Sequence, residues 1–288
     1  MKLIVFSLAH KPIEYLDKLS LNTIAVGVGK NKFPNTWLNT NVGENINHKH
    51  FAYAEMAGQY WIWKNYILKN LNNDIWVGFS QYRRHWIKSE PLLDKIFYGP
   101  LGNFFIKILI RRLASSRITL YSSYLRSVYQ KHFHNTVDPP IKIDDLSNNI
   151  LIKAYKNWNN YDVILTNPIF LGENIKDQYC GTAQVHSSCL DQITSFMPID
   201  MQKNFKNYLE KSQNICGHNM YIAKPKVLNE YFSFLFNFYE KIENIVNKKT
   251  NTKIIEIPRF FGHFNERFSD FWFRNFKKFK TLPMRSLA

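Results

Sequence analysis

Four stretches near the N-terminus constrain the fold more tightly than any other feature. Residues 2–10, KLIVFSLAH, and 22–29, NTIAVGVG, are short β-branched runs separated by a polar, turn-rich segment, the pattern of neighbouring buried strands. A loop rich in Asn, Gly and Pro leads to YAEMAGQYWIWKNYILKN, residues 53–70. There Met56, Tyr60, Trp63 and Ile67 recur at i, i+4, i+7 and i+11, one apolar stripe of a long helix. The strand DIWVGFSQY, residues 74–82, follows almost at once. Strand, strand, long helix, strand is an α/β opening. In open α/β sheets ligands lie beyond the carboxyl ends of the strands, so side chains just after a strand are the first to meet a substrate.

Further along, YDVILTNPIFL (161–171) reads as another buried strand, and residues 215–246 read as a loop, a short strand and a long helix. Residues 92–140 differ, being rich in Arg, Lys, Ser and aromatics. Within them Phe105, Leu109 and Leu113 face one way and Lys107 and Arg111 another. That is a basic amphipathic helix, suited either to packing on the main body or to resting on anionic lipid. Residues 274–288 are basic and interleaved with Phe. The expected organisation is a single domain over 1–288, with a helical insertion at 92–140 and a basic C-terminal tail at 274–288.

At 288 residues and 45% hydrophobic content the chain can bury a sizeable core. A formal charge of +16 calls for an anionic partner. The first apolar run is shorter than the ~7 to 15 residues of a signal-peptide core, and no stretch approaches the ~18 apolar residues of a membrane span. A cytoplasmic protein is therefore expected. Cys180, Cys189 and Cys216 form no C-x-x-C and no disulfide framework, and read as buried or near-site thiols. The sequence lacks G-x-G-x-x-G after the first strand, the P-loop, H-E-x-x-H and G-x-S-x-G. His48 with His50, and His132 with His134, form H-x-H pairs, but no Cys or carboxylate stands nearby to complete a metal site.

The segment GFSQYRRHW, residues 78–86, sets two arginines side by side as a strand ends. A guanidinium presents a planar fork matched to phosphate oxygens, and two of them suit a diphosphate. Both can serve one ligand only if the chain turns there, since successive residues of a strand point to opposite faces. The alternative is that one arginine pairs with a carboxylate within the fold. His10 and Lys11 follow the first strand, and Tyr82, Arg83 and Arg84 the later one.

AHKP after the first strand, AEMAGQYWIWKN on the helix, VGFSQYRRHW on the next strand, GHNMYIAK and finally RFFGHFNERFSDFW occur in that order. Together they resemble a bacterial family of capsular polysaccharide and lipopolysaccharide side-chain glycosyltransferases. That family carries a helix of the type E-L-T-x-x-Y-W-x-W-K-N and a strand ending H-Y-R-R-Y-F. This chain departs from it where Gln81 replaces the usual His, where Ala54 and Met56 flank Glu55 in place of Cys and Leu, and in residues 92–140. The resemblance implies a compact, single Rossmann-like (GT-A-like) α/β mixed sheet flanked by helices. It implies sugar transfer from a nucleotide diphosphate, with uridine diphosphate galactofuranose among the donors, to a lipid-linked or polysaccharide hydroxyl. The expected donor-binding residues are His10, Lys11, Glu55, Tyr82, Arg83 and Arg84, and the expected substrate-binding residues Gln81, His218, Asn219, Arg259 and Arg267.

Such a reaction needs a base for the acceptor hydroxyl and positive charge for the leaving diphosphate. The base candidates are His186, Asp191 and Glu266, with His186 favoured because imidazole titrates near neutrality. Glu266 beside Arg267 or Arg259 also reads as an internal ion pair. No D-x-D follows an apolar strand, so Arg83 and Arg84 with Lys11 or His10 are expected to neutralise the diphosphate without an obligatory metal, Mn2+ or Mg2+ being accessory at most. Glu55 and Lys64 fall on opposite helix faces, and Trp61 and Trp63 read as core. The expected setting is the inner face of the cytoplasmic membrane, on an anionic surface and without nucleic acid. Two rival readings are a basic nucleic-acid-binding protein with stacking aromatics and a non-catalytic peripheral component of a polysaccharide assembly complex.

Overall fold

The computed structural model describes residues 1–19, 22–88, 140–142, 146, 150–171, 173–183, 187–249 and 254–287. They fall into two compact units. One comprises Met1–Tyr82 with Ile152–Thr281, the other Arg83–Leu151 with Leu282–Ala288.

The first unit is built on a sheet of seven strands. These are β1 (Lys2–Ala9), β2 (Thr23–Gly27), β3 (Leu38–Asn39), β4 (Ile75–Gln81), β7 (Val163–Thr166), β10 (Tyr221–Ala223) and β11 (Phe279–Leu282), in the order β11-β7-β10-β4-β1-β2-β3. β1 runs parallel to both β2 and β4, with Ser7 opposite Ala25 and Ser80. β10 runs antiparallel to β4 and β7, which makes the sheet mixed. A small antiparallel pair of β8 (Ile169–Phe170) and β9 (Asn214–Ile215) stands apart. β1 is buried from Leu3 to Ala9, the near-continuous apolar pattern of a parallel strand covered on both faces.

The helices are α1 (His50–Tyr53), α2 (Glu55–Ile62), α3 (Ile175–Ala183), α4 (Ser187–Thr194), α5 (Ile199–Lys211), α6 (Pro225–Lys249) and α7 (Phe260–Phe276). Aromatic rings join the sheet to α6 and α7. Phe79 lies edge-on to Tyr221 at 5.3 Å and to Phe232 at 5.8 Å, and Phe234 stacks on Phe268 at 5.7 Å. α7 is buried nearly all round, so its polar side chains need partners inside the protein. Asp270, fully buried, accepts from the Tyr208 hydroxyl at 2.6 Å and from Arg274 at 3.4 Å. Gly58 lets α2 lie close on the sheet, for a Cβ there would stand 2.8 Å from Val28.

Two expectations are altered, and a third is not reached. The helix expected over 53–70 breaks at Ala54, whose φ is 50°, and passes from α2 into a π turn at Trp63–Ile67. Met56, Trp63 and Ile67 are nonetheless buried, as the apolar stripe requires. Residues 274–288 are not a tail, because they hold the end of α7 and the strands β11 and β12 (Met284–Leu287). The basic helix expected within 92–140 lies outside the described residues.

In the second unit β12 pairs antiparallel with β5 (Arg84–Trp86), Met284 opposite Trp86, and parallel with β6 (Pro140–Ile141). Among its described residues, Trp86, Ile87, Leu146, Ile150, Leu151, Leu282 and Met284 are buried and apolar. Among the described residues of both units, no helix is long and apolar enough to cross a membrane.

Candidate active site

The candidate side chains of the first unit gather where β1 ends, where α1 and α2 begin, at the turn before β10 and on the first turns of α7. Four non-glycine residues among those described have positive φ: Ala54 (50°), His218 (68°), Asn219 (53°) and Arg259 (54°). All four border this cluster. Backbone held in a sparsely populated region persists only where surrounding contacts over-determine it, and such residues concentrate at functional sites.

His10, directly after β1, places Nδ1 2.9 Å from Nε2 of His50, the first residue of α1. One nitrogen donates and the other accepts, so the pair is satisfied with both rings neutral. Burial first, and then the neighbouring ring, lowers the His50 pKa to about 4. Burial and Arg259 lower that of His10. Gly29, at φ +97°, leaves the His50 ring its space, since a Cβ there would lie 3.3 Å from Nδ1.

Glu55 opens α2 and is 3% exposed. Its Oε1 accepts from Asn219 Nδ2 at 2.6 Å, and its Oε2 stands 3.7 Å from Arg259 Nη2. Burial raises the Glu55 pKa and nearby Glu266 raises it further, against the pull of Arg259 and the Asn219 amide. Gly262 makes room for this arrangement, because a Cβ there would approach the Ala54 Cβ at 3.2 Å and Glu55 Oε2 at 3.6 Å. The Arg259 amide donates to the Phe51 carbonyl at 2.8 Å and ties the start of α7 to α1.

Two turns along α7 from Arg259, Glu266 accepts from Arg267 Nη1 at 2.7 Å, the internal ion pair that the adjacent residues suggest. Burial opposes ionisation of Glu266, but Arg267, His218, His263 and Arg259 outweigh it and hold its carboxyl below the ordinary value. His263 is driven the other way by burial, and its pKa is lowered.

The expected residues divide. His10, Glu55, His218, Asn219, Arg259 and Glu266 come together in the first unit. Lys11 is exposed beside His10. Tyr82 packs with the apolar group of Ala9, Leu16, Ala25 and Trp37, and its ring lies 6.5 Å from that of His10. Gln81 and Arg267, both expected to bind substrate, are turned to internal work. Gln81 Nε2 donates to the His218 carbonyl at 2.9 Å. The Arg267 fork bonds Glu266, the His263 carbonyl at 2.9 Å and Gln178 at 2.5 Å, over the Tyr179 ring. Asp191 is exposed and pairs with Lys176 at 3.3 Å. His186 lies outside the described residues. Arg83, exposed, and Arg84, half-buried, belong to the second unit, where the Arg83 carbonyl accepts from the Leu287 amide at 2.8 Å. Trp61 and Trp63 are buried, with Trp63 Nε1 bonded to Asn229 at 2.9 Å, and Lys64 pairs with Glu44 at 3.2 Å.

His50, Gln59, His263 and Asn265 were not singled out as site residues by the sequence reading. Arg259, His263 and Glu266 do recur at i, i+4 and i+7, one face of a helix, and that spacing could have brought His263 forward. Among the described residues, no three His, Cys, Asp or Glu side chains are grouped as metal ligands.

The chain matches, over residues 4–278, the model of a family described as "Domain of unknown function (DUF4422)", and it belongs to that family. A structure titled "WbbM bifunctional glycosytransferase apo structure" is similar at a TM-score of 0.62 and 18% identity. The likeness covers 100% of this chain but 46% of that one, so this chain spans about half of its length. It establishes a shared α/β fold of the GT-A-like type. No curated protein matches.

Proposed function

We propose that this member of the family is a glycosyltransferase. It moves a sugar from a nucleotide diphosphate donor, with uridine diphosphate galactofuranose the first to try, to a hydroxyl of a lipid-linked or polysaccharide acceptor. The pathway in view is capsule or lipopolysaccharide synthesis at the inner membrane face. The observation that carries this reading is the buried carboxylate of Glu55, with one oxygen held by Asn219 and the other toward Arg259, at the carboxyl end of a GT-A-like sheet.

In a direct displacement, Glu55 Oε2 takes the proton of the acceptor hydroxyl. The acceptor oxygen then bonds the anomeric carbon as the bond to the diphosphate oxygen breaks. A raised carboxyl pKa suits that base. Glu55 is preferred to Asp191, which is exposed and paired with Lys176, and to Glu266, whose carboxylate is committed to Arg267. Arg259 supplies a guanidinium to the departing charge, and the neutral His10–His50 pair, whose mutual bond uses one of its two N–H groups, supplies one N–H donor without adding charge. Arg83 and Arg84 retain, by the chemistry of their adjacent forks, the proposed role of binding diphosphate. No obligatory metal is proposed, so activity should survive chelator, and activity restored only by Mn2+ would count against that part.

The test is a panel of nucleotide sugars, read by thermal shift and by transfer to a lipid-linked acceptor. A shift specific to uridine diphosphate together with transfer supports the reading. Absence of any nucleotide response, with salt-steep oligonucleotide binding or with liposome binding alone, would replace it by one of the two rivals.

A further inference from the structure

Behind Glu55 lies a chain of buried side-chain hydrogen bonds with a single direction. The Tyr231 hydroxyl donates to Asn265 Oδ1 at 2.6 Å, and Asn265 Nδ2 donates to Asn219 Oδ1 at 2.8 Å. Asn219 Nδ2 donates to Glu55 Oε1 at 2.6 Å and to the Gly262 carbonyl at 3.0 Å. The direction is fixed by chemistry. Both partners of Asn219 Nδ2, a carboxylate and a carbonyl, can only accept, so the amide cannot be flipped. Its oxygen must then receive a donor, which orients Asn265, and the Asn265 oxygen in turn receives the Tyr231 hydroxyl. Asn219 is 2% exposed and Asn265 0% exposed, so water cannot take over either role.

The backbone of Asn219 is bound as firmly. Its carbonyl accepts from Gln59 Nε2 at 2.9 Å, and Gln59 Oε1 accepts from the Tyr221 hydroxyl. On the preceding residue, the His218 carbonyl accepts from Gln81. The left-handed conformation of His218 and Asn219 is thus held by bonds from α2, β4 and β10. Asparagine is among the few side chains that tolerate that conformation and can still aim an amide inward.

We infer that Asn219 and Asn265 are positioning residues that hold Glu55 by Oε1 and present Oε2 as the reacting oxygen, through a one-way amide chain anchored on Tyr231. The inference rests on the proposed role of Glu55 as base. Each link polarises the next, so a donor at the far end strengthens the bond at the carboxylate. The groups facing Glu55 are Asn219 from the turn before β10, Arg259 at the cap of α7, His263 and Glu266 from α7, and the Tyr221 and Tyr239 hydroxyls from β10 and α6. The first favours the ionised form, as does Arg259, and Glu266 opposes it.

The test uses the full chain with 13C-labelled Glu carboxyl groups, Glu55 being assigned by its loss in Glu55→Gln. Its titration is followed by NMR in wild type, Asn219→Asp, Asn219→Gly, Asn265→Leu and Tyr231→Phe, alongside the pH profile of kcat/KM with the active nucleotide sugar. Asn219→Gly keeps the left-handed backbone and deletes the amide, both the donor to Glu55 and the acceptor of Asn265. Asn219→Asp and Asn219→Gly should move the Glu55 midpoint, and with it the acid limb of kcat/KM, upward by about one pH unit or more. Asn265→Leu and Tyr231→Phe should move both in the same direction by less. Folded variants with lower activity at every pH but an unmoved Glu55 midpoint would overturn the inference and leave Asn219 a merely structural residue. If wild type turns over no nucleotide sugar, the proposed function fails, and the NMR midpoints still decide whether the amide chain governs Glu55.

Discussion

His10 Nδ1 and His50 Nε2 lie 2.9 Å apart, a single hydrogen bond between two imidazoles whose pKa values are both lowered. The folded state therefore prefers them neutral. For such a base the stability is fully present above the ordinary pKa of 6.5 and is lost as pH falls through the folded value, about 4 for His50. Denaturant midpoints should fall between those limits, by at most about 1.4 kcal/mol per pH unit for each proton taken up. His50→Gln should flatten the fall. Equal slopes in the two proteins would show that the pair does not govern acid stability.

Glu55 has a raised pKa, so its contribution to stability has the opposite sign, present at low pH and lost as pH rises from the ordinary carboxylate value through the folded one. Glu55→Gln removes a buried charge and keeps the shape. We expect turnover to fall by roughly 10²–10⁴-fold, the usual contribution of a positioned base, while uridine diphosphate affinity stays within a few-fold and the melting temperature does not fall. Asp191→Asn, at an exposed position, should leave turnover within about twofold. Steady-state kinetics and calorimetry on both variants check this. A turnover loss in Asp191→Asn comparable with that in Glu55→Gln would reverse the assignment.

Arg83 and Arg84 are tested through binding. Each charge-assisted hydrogen bond to phosphate is worth about 1.5–3 kcal/mol, so Arg83→Ala or Arg84→Ala should weaken uridine diphosphate binding by roughly ten- to a hundredfold. Arg→Lys should restore only part, since an ammonium lacks the fork. Binding unchanged in both alanine variants would remove the pair from the donor site.

Gly58→Ala probes the contact between α2 and the sheet. The added Cβ would sit 2.8 Å from Val28 Cγ2 and 3.0 Å from Leu8 Cδ2. Overpacking of a tight core costs about 1–3 kcal/mol, against which alanine recovers roughly 1 kcal/mol of helix propensity. Urea unfolding should show a net loss of stability. A gain would mean that the two side chains yield at little cost.

Much of the sheet could be read directly. β1, β2, β4 and β7 are short apolar runs whose burial needs no knowledge of their neighbours, and α6 declares itself by period. Glu55 and the Glu266–Arg267 pair were visible as charges inside apolar helices. The strands at the C-terminus escaped because the basic residues in and just before them, Lys277, Lys278, Lys280 and Arg285, also suit a solvated tail. The break at Ala54 escaped for a different reason. The apolar stripe runs through it undisturbed, and what turns the chain there is the close approach of Gly262 and the bond from the Arg259 amide to Phe51.

The order of buried strands and helices, and the carboxylate and arginines among them, were thus determined by the sequence, because hydrophobic period is a local property. The tertiary structure alone decided that His10 meets His50 across 40 residues, Asn219 meets Glu55 across 164 and Asn265 meets Asn219 across 46. A hydrogen bond between residues so distant along the chain leaves no periodic mark, and its direction is set only when the buried partners have been brought together.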